Sequence, residues 1–261
     1  MGVLAGKKCT PLTSVLRALA SATVMVAVAM FVVAPVARAS VVITGTRVIY
    51  PAGNRDVTIR VTNNGETPAL VQSWVDAGNP QAAPEQLDVP FSVTPSIFRL
   101  DPPQTQVMRL VFLGADLPKD RESVYWLNVL EIPPKPKDMV SENYLQFAIK
   151  TRIKIFYRPA MLPGGPEKSA SQLKWARAAG VGNEVVVTVR NPSAFYVSFA
   201  EVRAKLADGT ELPALSGMVA PFDVLTLKFV AAQPVPSPVM RVTFKTVDDY
   251  GSFVDGTVEL P

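Results

Sequence analysis

The chain has 261 residues, with 26 Lys and Arg against 22 Asp and Glu, 24 prolines, 15 glycines, one cysteine and no histidine. Without an imidazole, Ser-His-Asp and Cys-His catalysis, His-ligated metal centres and the usual proton shuttle near neutral pH are excluded. Any enzyme of this composition would need unusual chemistry.

Residues 1–39 read as a secretory signal peptide. Lys7, Lys8 and Arg17 make a basic start, Ala18 to Val33 is an uncharged apolar run, Pro35 breaks it, and Ala37-Arg38-Ala39 offers the small-x-small pattern of a cleavage site before Ser40. The competing reading, a retained membrane anchor, meets an apolar run shorter than the roughly twenty residues that span a bilayer. Cleavage removes Lys7, Lys8, Arg17 and Arg38 and no acid, so 26 cations fall to 22 against 22 acids. The isoelectric point of 9.2 then belongs to the precursor. It gives no support to nucleic-acid or anionic-membrane binding, and no membrane insertion is expected after cleavage. Cys9 leaves with the leader, so residues 40–261 must be held by apolar burial without disulfides, which is feasible for one or two domains of this length.

The remaining chain reads as all-β, with abundant Val, Ile, Thr, Phe and Tyr and no sustained helical period. Val57, Ile59 and Val61 alternate with Thr58, Arg60 and Thr62, and Asn63-Asn64-Gly65 follows as a turn whose residues tolerate positive φ. Further strands are expected at Ala69 to Val75, Gln106 to Leu113, Val124 to Ile132, Tyr144 to Tyr157, Val185 to Arg190, Tyr196 to Leu206, Val224 to Val230 and Met240 to Val247. Short strands at near-regular spacing with Pro and Gly between them suggest two sandwiches of about 100 residues each. The Pro- and Gly-dense stretch from Arg158 to Pro166 marks the boundary, giving domains at 40–158 and 159–261.

One segment, Asn143 to Pro159, is long for a strand. In an extended chain Leu145, Phe147, Ile149, Thr151 and Ile153 share one face, while Gln146, Lys150, Arg152 and Lys154 share the other. Periodicity leaves two readings open: a half-buried strand facing its own core, or an edge strand kept exposed to template another chain.

Three motifs in order carry a resemblance: Asp120-Arg121-Glu122-Ser123, then Asn128 to Pro134, then Ile153-Lys154-Ile155-Phe156-Tyr157-Arg158-Pro159. Together they resemble the signature of the PapD-like periplasmic pilus chaperones. Thr46-Arg47-Val48-Ile49-Tyr50 is similar to that family's first strand, Asn191-Pro192-Ser193-Ala194-Phe195-Tyr196 to its second-domain Asn-Pro strand, and Asp248-Asp249-Tyr250-Gly251 to its late turn. The resemblance implies two immunoglobulin-like sandwiches set at an angle around a cleft, and a periplasmic location. It implies donor-strand complementation, in which the stripe Leu145, Phe147, Ile149, Thr151 and Ile153 fills the groove of an incomplete pilus subunit. Arg47 and Lys154 match the anchors for the subunit's C-terminal carboxylate, and Glu122, Arg158 and Asp249 match an interdomain salt bridge. Delivery to an outer-membrane usher is a further implication, while an exposed apolar edge leaves self-association of the free protein open.

Some features depart from the family. Many members carry a disulfide in the second domain, and members with long loops before the donor strand often carry one in the first; this chain has neither. The segment Lys135 to Glu142 is of modest length, which suggests the short-loop branch. Lys150 and Arg152 read as a solvated face, and Trp74, Trp126 and Trp175 as core or rim aromatics.

Three other functions compete. A Ser-Lys enzyme using Ser123 or Ser193 lacks a nucleophile elbow or Ser-x-x-Lys context. An exported pilus subunit or adhesin would be a single incomplete domain with its own donor extension. A general apolar-cargo holdase would share the stripe without needing both Arg47 and Lys154. No metal, cofactor or nucleotide is expected, since residues 40–261 hold no His or Cys, no calcium-loop spacing and no phosphate-binding Gly-rich loop.

Overall fold

A computed structural model describes residues 40–84, 87–135, 146–231 and 238–260. The expected leader, Leu145 and most of the segment from Lys135 to Glu142 lie outside these residues. The first sandwich pairs two sheets. One has the order β1-β3-β7-β5, built from β1 (Val41–Ile43), β3 (Val57–Asn63), β5 (Phe91–Thr94) and β7 (Thr105–Phe112). The other has the order β2-β9-β8-β4-β6, built from β2 (Arg47–Pro51), β4 (Ala69–Asp76), β6 (Ile97–Leu100), β8 (Ser123–Ile132) and β9 (Ile149–Arg158).

Alternation explains the packing between these sheets. Ile59 and Val61 on β3, Val71 and Val75 on β4, Met108 and Leu110 on β7, and Leu127 and Val129 on β8 all point inward and are buried together. An aromatic group closes one end: Tyr50, Phe91, Phe112 and Tyr157 lie with ring centroids 4.7–6.4 Å apart. The buried Tyr50 hydroxyl accepts the Phe112 N–H at 3.1 Å.

The second sandwich sets β10 (Lys174–Ala178), β11 (Glu184–Arg190) and β14 (Val224–Val230) against β12 (Val197–Leu206), β13 (Leu215–Val219), β15 (Val239–Val247) and β16 (Phe253–Glu259). A separate core gathers Val187, Val189, Val202, Leu227, Phe229 and Val242, with Trp175 stacked on Phe244 at 5.0 Å. Between the sandwiches runs a linker holding α1 (Pro166–Ser169) and a 3-10 turn, Ala170–Gln172.

Each sandwich uses a buried asparagine to pin the loop after its second long strand. Asn63 Nδ2 donates to Thr67 O and Leu100 O, both at 2.9 Å; Asn191 Nδ2 donates to Phe195 O at 2.7 Å and Ala220 O at 3.0 Å. The expected turn at Asn63-Asn64-Gly65 needs a correction. It carries the chain from one sheet to the other, and Gly65 is not among the positive-φ residues. The Asn63 Oδ1 accepts the Gly65 N–H at 2.9 Å. Glycine is required there by space, because a Cβ would lie 2.4 Å from that of Ser40.

Candidate functional site

β9 is the element on which the site is built. Along its full length it pairs antiparallel with β8, from Ile149 opposite Glu131 to Tyr157 opposite Ser123. On its other side β2 pairs parallel only with Lys154 to Arg158. The outer edge of Ile149 to Ile153 therefore has no strand partner among the described residues, and its main-chain groups are open to an incoming chain.

The apolar stripe divides where this edge opens. Phe147 and Ile149 are 68% and 42% exposed, Thr151 is half-buried, and Ile153 is 7% exposed within the core of its own sandwich. The expectation of one continuous presented stripe is corrected at Ile153, because the core extends under β9 as far as this residue and the side chain fills it. Phe147 lies just before the strand, which begins at Ile149; Tyr144, its expected start, lies outside the described residues.

On the opposite face β9 carries cations, and one correction concerns Arg152. It is no solvated charge: Nε and a terminal nitrogen bind the buried Asp76 carboxylate at 3.0 and 2.5 Å, and the guanidinium lies 4.5 Å from the Trp126 ring. Asn128 Nδ2 donates to the same carboxylate at 2.7 Å and Gly78 N at 2.6 Å. Burial pushes the Asp76 carboxyl up, but these donors together outweigh it and hold the group below its usual range. This group fastens the open half of β9 across β8 to β4. Lys150, by contrast, is exposed, with Nζ donating to Pro80 O at 2.8 Å.

Arg47 and Lys154 are brought side by side as register partners across β2 and β9. Arg47 donates to Val247 O at 2.8 Å and lies 5.8 Å from the Phe156 ring, while Lys154 Nζ donates to Ser198 Oγ at 3.2 Å. Both acceptors belong to the second sandwich. Burial lowers the pKa of both cations; for Lys154 the neighbouring Arg47 charge lowers it further, whereas Asp249, Asp248 and Glu122 partly restore Arg47. The buried Arg47 Nε has no hydrogen-bond partner among the described residues. Arg47 lines a cleft of about 430 Å³ with Phe156 and Arg158 from the first sandwich and Tyr196, Asp249 and Tyr250 from the second.

Arg158 joins the two sandwiches at this cleft. Its Nε donates to Glu122 at 2.7 Å, and its two terminal nitrogens donate to the Asp249 carboxylate at 2.7 and 3.0 Å. Glu122 also accepts the Tyr196 N–H at 2.8 Å. Burial raises the Glu122 carboxyl against the pull of Arg158, and the two carboxylates raise Arg158 against its own burial. Asp249 is presented by the turn at Asp248 to Gly251, where Asp248 Oδ1 accepts the Tyr250 and Ser252 N–H groups. Gly251 has φ +87° and a Cβ there would meet Thr46 Oγ1 at 2.7 Å, so both conformation and space require glycine.

Ser193, weighed above as a nucleophile, donates its hydroxyl to Asn191 Oδ1 at 2.7 Å. Sequence reasoning missed the Asp76–Arg152 support, since its partners are far apart in sequence, and the Ser198 and Val247 acceptors.

Comparison with known proteins places this geometry in a family. The model for the N-terminal domain of PapD, a pili and flagellar-assembly chaperone, matches residues 40–163, and that for the PapD C-terminal domain of pili assembly chaperones matches residues 168–258. The chain belongs to the PapD family of pilus assembly chaperones, as the three motifs around Glu122, Asn128 and Lys154 implied. It is similar to the chaperone protein FimB/FhaD of Bordetella pertussis, 42% identical over 226 residues covering 84% of this chain and 87% of that one. A crystal structure of the YadV chaperone matches with a TM-score of 0.71 and 36% identity, covering 85% of this chain and all of the other. A structure of the Salmonella enterica SafA pilin in complex with the SafB chaperone matches with a TM-score of 0.69 and 30% identity, covering 87% of this chain and 99% of that one.

Proposed function

We propose that this protein is a periplasmic chaperone that holds pilus subunits by lending them the open edge of β9 and passes them to an outer-membrane usher. The observation that carries the reading is the half-paired β9: one edge of Ile149 to Ile153 has no strand partner among the described residues, and beside it Phe147 and Ile149 stand exposed. An incomplete sandwich offers a groove and unpaired edges that this segment fits; main-chain bonds supply affinity, and alternating side chains entering pockets supply register.

Arg47 and Lys154 anchor the subunit's terminal carboxylate in the cleft. Two partly desolvated cations, one with an unpartnered Nε, suit charge-assisted bonds to such a group. Ile149, Phe147 and the neighbouring Leu145 serve as the donated side chains, with Thr151 as a weaker polar member. Glu122, Arg158 and Asp249 hold the two sandwiches together around the cleft, with the domain boundary just after Arg158. The Asp76–Arg152 pair keeps β9 in place while its edge is used. No step is catalytic; the free energy for assembly comes from subunit folding when the chaperone's strand is exchanged for one from the next subunit.

The test is co-expression with a pilus subunit in a bacterial periplasm, scoring soluble one-to-one complex. Wild type rescues the subunit, and Arg47→Ala, Lys154→Ala and Ile149→Asp lose it while remaining folded. Anchor variants that rescue as well as wild type would contradict the carboxylate anchor and favour an apolar-cargo holdase.

A further inference from the structure

We propose that Arg121 and Phe222 form a further latch between the two sandwiches, which limits their relative rotation and so keeps the cleft in its binding geometry. Phe222 lies in the turn Ala220-Pro221-Phe222-Asp223 between β13 and β14, where Asp223 N donates to Ala220 O at 3.4 Å. Its φ is +60°, and among the described residues it is the one non-glycine with positive φ. This position of the turn favours glycine or asparagine, and an aromatic side chain there is strained.

The strained backbone aims the ring away from its own core. Phe222 is 43% exposed and does not belong to the second sandwich's buried cluster. The guanidinium of Arg121, from the first sandwich, lies 5.0 Å from the ring centroid. Asp120 holds that guanidinium through bonds of 3.1 and 2.8 Å from Nε and a terminal nitrogen, which leaves its flat face to meet the ring. The flanking contacts also cross between the sandwiches: Glu122 N donates to Ala194 O at 2.9 Å, while Phe222 N donates within its own sandwich to Ser193 O at 3.3 Å and so ties the turn to that same segment.

Several bonds already cross between the sandwiches: Arg47 to Val247 O, Lys154 to Ser198 Oγ, Tyr196 N to Glu122 and Glu122 N to Ala194 O. The Glu122–Arg158–Asp249 group holds the turn between β15 and β16, whereas Arg121 holds the turn between β13 and β14. The Arg121–Phe222 contact adds an attachment at a turn that none of these bonds reaches, and so narrows the rotation they still permit. Phe222 is thus a positioning residue, kept in an unfavourable conformation for the sake of a contact outside its own fold.

The experiment measures the distance distribution between spin labels at Thr58→Cys and Thr226→Cys, one exposed site on each sandwich, in the protein exported with its own leader. Phe222→Asn accepts positive φ but removes the ring, Arg121→Gln removes the cation without touching the turn, and Phe222→Trp keeps an aromatic face. The distribution broadens in Phe222→Asn and Arg121→Gln, stays narrow in Phe222→Trp, and the double variant is no broader than either single one. A distribution as narrow as wild type in Arg121→Gln would overturn the latch, even if Phe222→Asn failed to fold. The consequence for capture rests on the donor-strand reading: subunit affinity falls about two- to five-fold in the same variants. Undiminished affinity with a broadened distribution would overturn the role in capture. The distance measurement needs no subunit, so failure of the donor-strand reading is seen separately, as loss of binding in wild type.

Discussion

Arg47 and Lys154 face each other across the β2–β9 pair, and each donates a hydrogen bond to the opposite sandwich, Arg47 to Val247 O and Lys154 to Ser198 Oγ. Two like charges held together and partly desolvated oppose folding. On the proposed reading their placement serves binding, with an arriving carboxylate adding to the partial compensation that Asp249, Asp248 and Glu122 give Arg47. Lys154→Met should therefore raise the thermal midpoint at pH 7 while reducing subunit binding. The sign follows from its lowered folded-state pKa: the wild-type protein gains stability as pH rises from that pKa toward the unfolded value near 10.5, and the variant lacks this gain. Thermal melts of both proteins between pH 7 and 10 check it.

Arg158 is the shared cation of a carboxylate on each sandwich. Arg158→Met leaves the buried Glu122 without its counter-charge, and breaking such a group by removing one member costs about 3 kcal/mol or more. The denaturant midpoint should fall accordingly, and Glu122→Gln in the same background should recover part of the loss.

Asp76 sets an acid limit. Its folded-state carboxyl is held below the usual value, so its contribution is present above about pH 4 and is lost as pH falls through the folded pKa. Asp76→Asn should cost about 1.5–3 kcal/mol at pH 7, and the gap to wild type should close under acid, as urea titrations at pH 7 and pH 3 would show.

The stripe on β9 divides into two functions. Ile149→Asp should leave the melting behaviour within a degree or two of wild type and abolish subunit rescue, because the side chain is exposed. Ile153→Ala should cost about 2–4 kcal/mol, because it leaves a cavity in the first core. A stability assay paired with the co-expression assay separates the two.

That division also shows how far the residues alone lead. Alternating runs such as Val57 to Val61 or Val185 to Arg190 reveal their strands, since one buried face imposes a period of two. The strands β1, β5 and β6 are too short to show a period, and β10 and β16 mix charge, Ala and Gly because they lie at sheet edges. Ile149 and Ile153 look equivalent in the sequence; only the end of the core beneath β9 distinguishes them. Arg152 looks solvated until Asp76 is brought to it by the β4–β8–β9 order. Arg47 and Lys154, and the Glu122, Arg158 and Asp249 set, were visible through family motifs, whereas the positive φ of Phe222 leaves no trace in composition or spacing.

On the proposed reading, the open edge of β9 pairs with a pilus subunit while Arg47 and Lys154 hold its chain end. Amide hydrogen exchange of the protein, alone and in complex with a subunit, tests it most directly. Exchange should slow for β9 amides on the open edge between Ile149 and Ile153, with the slowing lost when the subunit's C-terminus is extended by residues that displace its carboxylate. Unchanged exchange along this edge in a stable complex would contradict strand donation by β9.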